Sequence, residues 1–240
     1  MKDSLTFISL TNLLIIFIPL SVIIIILYFW ELNWRDTIYA LVRMTFQLIF
    51  IGFFLNYLFN SSSPLIIVVS LLIMISIASW ISLRTVPDNR ILFYKEAFFS
   101  IFIGGGFTLF IVTQYILNLN PWYLPKYIIP IAGMIFASSM NGISLAYERV
   151  HSELFRDKKY DDARKKSLEA ALIPSTNSLF AVGIVSLPGM MTGQIISGVS
   201  PLIAVRYQIL VMCMLYAAAG ITTSLFLSII KVKITKKVFS

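Results

Sequence analysis

Six methionines, Met134, Met140, Met190, Met191, Met212 and Met214, fall in the last three apolar stretches of the chain, where thioethers could pass a soft ion. Such ligands suit Cu(I) better than Fe(II), which prefers nitrogen and oxygen. Flexible packing beside a moving segment is the competing reading of the same residues and outweighs it, so the sequence leaves any metal ligand unknown. The polar groups able to line a path are Ser138, Ser139 and Asn141, then Thr192 and Gln194, then Gln208. For each, an interhelical hydrogen bond is an equal alternative. Arg43 and Gln47, four residues apart, share a helical face. Arg43 either snorkels to the interface or meets an anionic group.

Other chemistry is missing. The eleven acidic residues all lie in loops, at termini or at the edges of apolar runs, as Asp36, Glu96, Glu148 and Glu169 do. No carboxylate sits where an ion-coupled carrier needs one at mid-membrane. His151 is the sole histidine and lies in a charged loop; Cys213 is the sole cysteine and lies in an apolar run. Disulfide scaffolding and cysteine-based zinc sites are therefore excluded within one chain, and the lack of a His, Asp or Cys paired with a serine counts against an intramembrane hydrolase. Gly104-Gly105-Gly106 is followed by Phe107 and Thr108, not the Lys and Ser/Thr of a phosphate loop, so close helix packing is its reading. The chain binds no nucleotide by a phosphate-cradling motif. Uphill transport would draw its energy from another polypeptide.

The elements that must position these residues are membrane spans. Hydrophobic residues make up 58% of the 240, charged ones 12%, and the mean hydropathy is +0.88. A soluble domain carries roughly one quarter charged residues. Leu13 to Trp30 alone approaches the ~20 apolar residues that a bilayer requires. The short n-region and the missing cleavage site mark this run as a retained span. Seven spans are expected, near 9–30, 38–59, 64–83, 97–117, 127–147, 179–199 and 203–230, in a single permease domain over 1–240. The fold class is all-α, polytopic.

The net charge of +8 follows from topology and not from nucleic-acid binding. Of the nineteen basic residues, fifteen fall on one side of the expected spans: Arg35; Arg84, Arg90 and Lys95; seven from Arg149 to Lys166; Lys231, Lys233, Lys236 and Lys237. The positive-inside rule makes that side cytoplasmic, with the N-terminus outside and the C-terminus inside an inner or plasma membrane. Arg206 and Tyr207 read as an interfacial anchor at the external end of the last span. The external connections are short and turn-rich, whereas residues 148–178 form a long charged loop that reads as helical. No internal repeat stands out.

Within that loop begins "EAALIPSTNSLFAVGIVSLP". Glu169-Ala170-Ala171, Ser175, Val185 and Leu187-Pro188 follow a spacing similar to that of ABC-transporter permease subunits, with Ser175 in place of Gly and Val185 in place of Ile. A short helix carrying Glu169, Ala170, Ala171, Leu172 and Ser175, with small residues on one face and charge on the other, could seat in a groove of an ATPase, and Pro174 would stop or kink it. Pro188-Gly189 gives the next span a hinge. Gly189-x-x-x-Gly193 permits close approach of a neighbouring helix.

Together with "IIPIAGMIFASSMNGISLAYERV", "VRMTFQLIFIGFFLNYLF" and the block around "LPGMMTGQ", the chain resembles the FetB-type permeases, bacterial relatives of plant aluminium-tolerance half-transporter subunits. The resemblance runs from Arg43 to the last span. It implies a permease partnered by a separate ATP-binding cassette subunit that holds ATP and Mg, two copies of each, no cofactor on this chain, and a link to iron export or metal tolerance. An ABC exporter of a nucleotide sugar or lipid-like solute, and a self-sufficient channel or facilitator, are the alternatives.

Overall fold

A computed structural model describes residues 9–59, 63–85, 90–156 and 159–238. The expected turn at 60–62, Lys2, Lys158 and the acidic residues Asp3, Asp88 and Asp157 lie outside them. The described residues are helical with no strand, and the chain divides into two units, 1–60 and 61–240.

In the first unit, α1 (Leu10–Leu14) and α2 (Phe17–Phe29) are followed by α3 (Trp34–Phe59). Glu31, at φ 56°, turns the chain between α2 and α3. Arg43 and Gln47 are exposed on α3.

The second unit holds α4 (Pro64–Ser82), α5 (Arg90–Ser100), α6 (Gly106–Phe110), α7 (Pro125–Leu154), α8 (Tyr160–Ala181), α9 (Gly189–Ile196), α10 (Pro201–Ile229) and α11 (Lys231–Val238). Two π-helical turns, Ile101–Gly105 and Ile111–Ile116, join α5 and α6 into one long rod, Arg90–Ile116. Prolines open α4, α7 and α10 at their first turn, where a missing N–H costs nothing.

Six helices among the described residues are long and apolar enough to cross a membrane: Thr11–Phe29, Trp34–Leu55, Pro64–Ser82, Arg90–Ile116, Pro125–Leu154 and Pro201–Ile229. The seventh expected span, near 179–199, is not one helix. Its residues divide among the end of α8, a non-helical bridge over 182–188, and the eight-residue α9. Gly183 at φ +84°, a conformation that side chains rarely adopt, and Pro188, which cannot donate to a preceding helix, account for the interruption.

Contacts fix the direction of each rod. Ser138 Oγ donates to the Leu215 carbonyl at 3.0 Å, Ser139 Oγ lies 3.1 Å from Thr222 Oγ1, and Gly142 packs on Thr223. The numbers rise together, so α7 and α10 are parallel. Ser144 donates to the Ser82 carbonyl at 2.7 Å and Met74 meets Gly133, so α4 runs the same way. Arg90–Ile116 runs opposite, with Phe93 against Tyr147 and Gly105 against Phe136. Two parallel rods joined by residues 155–200 require that the chain return between them. That return is α8, the bridge and α9 taken together.

Small residues let the rods approach closely. A Cβ on Gly104 would lie 2.7 Å from Thr222 Oγ1 and 3.0 Å from the Thr222 backbone. A Cβ on Gly142 would lie 2.4 Å from Thr223 Oγ1. Gly105 abuts Phe136, whereas Gly106 meets nothing within 4 Å. The glycine run is thus a packing device, and its neighbours Thr108, Thr113, Ser79 and Ser100 bond the carbonyls four residues back.

One end of the second unit gathers Arg84, Arg90, Lys95, Arg156, Lys159, Arg164, Lys165, Lys166, Lys231 and Lys233. The opposite end has Lys126 and Arg206. At the basic end Lys233 Nζ meets Glu96 Oε1 at 2.5 Å, Lys231 meets Asp161 at 3.2 Å and Arg149 meets the buried Glu153 at 2.7 Å. Glu96 is itself buried, with Oε2 lacking a partner among the described residues. Lys233→Met should therefore strand a buried carboxylate and lower the melting temperature of purified protein, while adding Glu96→Gln should recover most of the loss. A double-mutant thermal-shift cycle checks this; additive losses would deny the coupling.

Candidate functional site

At the end opposite the basic cluster, a cavity of about 600 Å³ opens among the last π-helical turn, α7, α9 and α10. Its polar groups are few. Met134 comes from α7, Met190 and Gln194 from α9, and Tyr207 and Met214 from α10, while Lys126 and Tyr127 stand at the start of α7. Val112, Pro130, Ile131 and Val211 make the rest of the wall apolar. No acidic residue lines the cavity, and no group of three His, Cys, Asp or Glu able to hold a metal exists among the described residues. Gln194 Oε1 is buried without a partner among them, and so is Oε1 of Gln208, which is 5% exposed.

The structure brings together four of the residues singled out from sequence, Met134, Met190, Met214 and Gln194. The others lie elsewhere. Ser138 and Ser139 are engaged with α10 as described, Asn141 is exposed, Thr192 Oγ1 bonds the Pro188 carbonyl at 3.2 Å, and Met140, Met191, Met212 and Gln208 do not line the cavity. Lys126, Tyr127 and Tyr207 were not foreseen as lining residues. Tyr207 was read as an anchor, and only the aromatic character shared with Tyr127 at span ends signalled a rim.

The expected coupling loop is a helical hairpin of α7 and α8. Burial of Tyr160, Ala163, Ser167 and Ala171 defines one face of α8, which packs against α7 and α10. Tyr160 donates its hydroxyl to the Leu227 carbonyl, and Leu172 reaches Gly220. Burial pushes the Tyr160 phenol up to about 12, so it stays a donor across the physiological range.

Two expectations change here. Ala171 does not face an outside groove; the small-residue face is spent inside the bundle. Glu169, Ile173 and Pro174 are exposed instead, with Ala170, Leu172 and Ser175 half-buried at the margins. Pro174 does not stop the helix, which continues to Ala181 with Ser178 Oγ bonding the Pro174 carbonyl at 2.9 Å. Packing of Ser167, Ala171 and Leu172 on both neighbours outweighs the one donor that proline removes.

In α9, Pro188 is the N-cap and Gly189 the first residue. Neither Gly189 nor Gly193 meets a neighbour within 4 Å, so the close approach expected of the Gly-x-x-x-Gly pair has no partner within the described chain. Leu187 is 62% exposed.

Multiple apolar rods, one-ended basic charge and a mostly apolar cavity at the other end define a polytopic α-helical membrane protein. Its sequence places it more closely. The chain belongs to the UPF0014 family, described as an uncharacterised protein family, whose profile matches residues 10–235. It is 33% identical over 200 residues to the UPF0014 membrane protein slr1647 of Synechocystis, covering 75% of this chain and 76% of that one. It is 31% identical over 208 residues to the probable iron export permease protein FetB of Escherichia coli, covering 79% and 77%. Protein ALUMINUM SENSITIVE 3 of Arabidopsis thaliana is 31% identical over 206 residues, covering 78% and 73%. No solved structure matches the chain.

Proposed function

We propose that the chain is the permease subunit of an ABC transporter that exports iron or another metal ion, with ATP hydrolysed on a separate subunit. The α7–α8 hairpin at the basic end carries this reading. It offers an exposed acidic and apolar edge, Glu169, Ile173 and Pro174, on a helix whose other face is locked to α7 and α10. The permease name of the Escherichia coli relative, matched across most of both chains, supports it. The basic end is cytoplasmic by the positive-inside rule, with the C-terminus inside. The permease works as a homodimer, supported by the open Gly189 and Gly193 faces, which suit a helix from a second copy.

A binding partner is the direct test. A tagged chain should co-purify an ATP-binding cassette subunit, and Glu169→Arg should reduce the recovered ATPase several-fold without changing the melting temperature, since Glu169 is exposed. Full-rate solute flux through the purified chain alone would end the ABC reading. For the dimer, Gly193→Leu should shift the detergent-solubilised protein to monomer in light scattering while its helicity is unchanged, because nothing within the chain occupies that space.

A further inference from the structure

The permease reading leaves open where the solute crosses, and the bridge over 182–188 answers it. Its backbone is poorly paired. Ala181's carbonyl accepts from the amides of Ile184, Val185 and Ser186, and Gly183 N donates to Ser186 O at 2.9 Å. The carbonyl of the half-buried Val182 and those of the exposed Gly183, Ile184, Val185 and Leu187 accept no hydrogen bond from any described residue, and within the bridge the Leu187 amide is the one N–H that donates to none. Those four exposed residues are open to the surroundings, Ile184 at 89% exposure and Val185 at 81%.

The bridge is also deep. Before it, Leu172 packs at Gly220 of α10, and α8 runs nine residues further, about 14 Å. After it, Met190 lines the same cavity as Val211 and Met214, near the middle of α10. Irregular backbone at membrane depth is tolerated where protein buries it or where it borders water, and not against lipid. Meanwhile the seam between α7, α10 and the Arg90–Ile116 rod is closed to passage. Gly104 sits on Thr222 and Gly142 on Thr223, and the hydroxyls along that seam are mostly taken up by Ser139–Thr222 and the bonds to carbonyls four residues back.

We propose that the bridge over 182–188 lines a water-filled translocation path that favours cations, running along the outer side of the α7–α8–α10 bundle and not through it. Five free carbonyls against one free amide, that of Leu187, point to the charge preference, because a stretch richer in acceptors than in donors replaces the water of a cation better than that of an anion. Ile184, Val185 and Leu187 then form an apolar collar along the path, the kind of constriction that controls flow by dewetting.

The inference rests on the permease reading, and the experiment separates the two because it needs no ATPase. In the full chain, in membranes, with Cys213→Ala as background, single cysteines are placed at Ile184, Val185, Ser197 and Ile103. Ser197, between α9 and α10, reports free aqueous access; Ile103, 52% exposed beside α4 in the apolar groove of Phe102 and Phe107, reports lipid. Ile184→Cys and Val185→Cys should react with a cationic methanethiosulfonate within about tenfold of Ser197→Cys. Normalised to Ser197→Cys, they should prefer it to the anionic reagent of the same size by several-fold. Reaction as slow as Ile103→Cys means the bridge is dry, against lipid or a partner, and overturns the proposal. Equal rates with the two reagents, or preference for the anion, overturn its cation selectivity. Since all four sites are exposed, folding of the variants is checked by monodispersity, and an aggregated variant is replaced by cysteine at Leu187, which carries the same expectation.

Discussion

Gly104→Leu is expected to leave no monodisperse protein, while Gly106→Leu, two residues on in the same rod, behaves as the parent. A side chain at Gly104 must displace Thr222, whose backbone would stand 3.0 Å from the new Cβ, whereas Gly106 faces no atom within 4 Å. Overpacking of a tight core typically costs about 1–3 kcal/mol per site, and backbone cannot rotate away as a side chain can. The loss should also free Ser139 from Thr222, since α10 would have to move as a body. Fluorescence-detected size exclusion of the two variants side by side decides the matter. Similar elution profiles would mean that the seam yields, and that the glycines merely fill lipid-facing positions.

The second large effect is expected at the bridge. Pro188→Ala with Gly189→Ala restores a backbone donor and raises helix propensity by about 1 kcal/mol at the glycine, relative to alanine, and about 3 at the proline. The new alanines favour extension of α9 backwards toward Gly183. Binding of the ATPase should survive, because Glu169, Ile173 and Pro174 lie at least eight residues before the bridge, on a helix that the change leaves intact, and ATP hydrolysis should persist at some rate. Transport by the reconstituted complex should fall to background, since coupling between two sites needs an element with two arrangements. Normal transport in the double variant would show that the interruption is static.

Hydropathy made most of the architecture legible. Apolar runs such as Leu13 to Trp30 announce their own lengths, and the lysine and arginine positions anticipated the one-ended charge. The run at 179–199 misled because hydropathy records side chains and not backbone pairing. Gly183, Pro188 and Gly198 each carry a turn signal, yet the apolar residues between them sum to a span. The charged loop was rightly read as helical, but its small-residue face, expected outward, packs inward, since small residues serve a groove in a partner and a groove in the same bundle equally well. Ala171 shows which use prevailed. Glu96 looked like an edge carboxylate, and its partner Lys233 lies 137 residues later, a separation that no local spacing reveals. Lys126, Tyr127 and Tyr207 were dispersed in the same way, on two rods whose parallel course only contacts could establish.

The Tyr160 bond to Leu227 has a mechanical consequence. It pins the start of α8 to the end of α10, while Ala163, Ser167 and Ala171 hold the shaft along its length. If the proposed ATPase pushes at Glu169, the push would not be absorbed by bending between α8 and its neighbours and would act on three rods as one stiff lever. Past Ala181 come seven residues with few hydrogen bonds, the joint at which such a force would become displacement. Tyr160→Phe, by loosening the pinned end by about 1 kcal/mol, should let the lever slip: ATP turnover continues, and fewer solutes move per ATP.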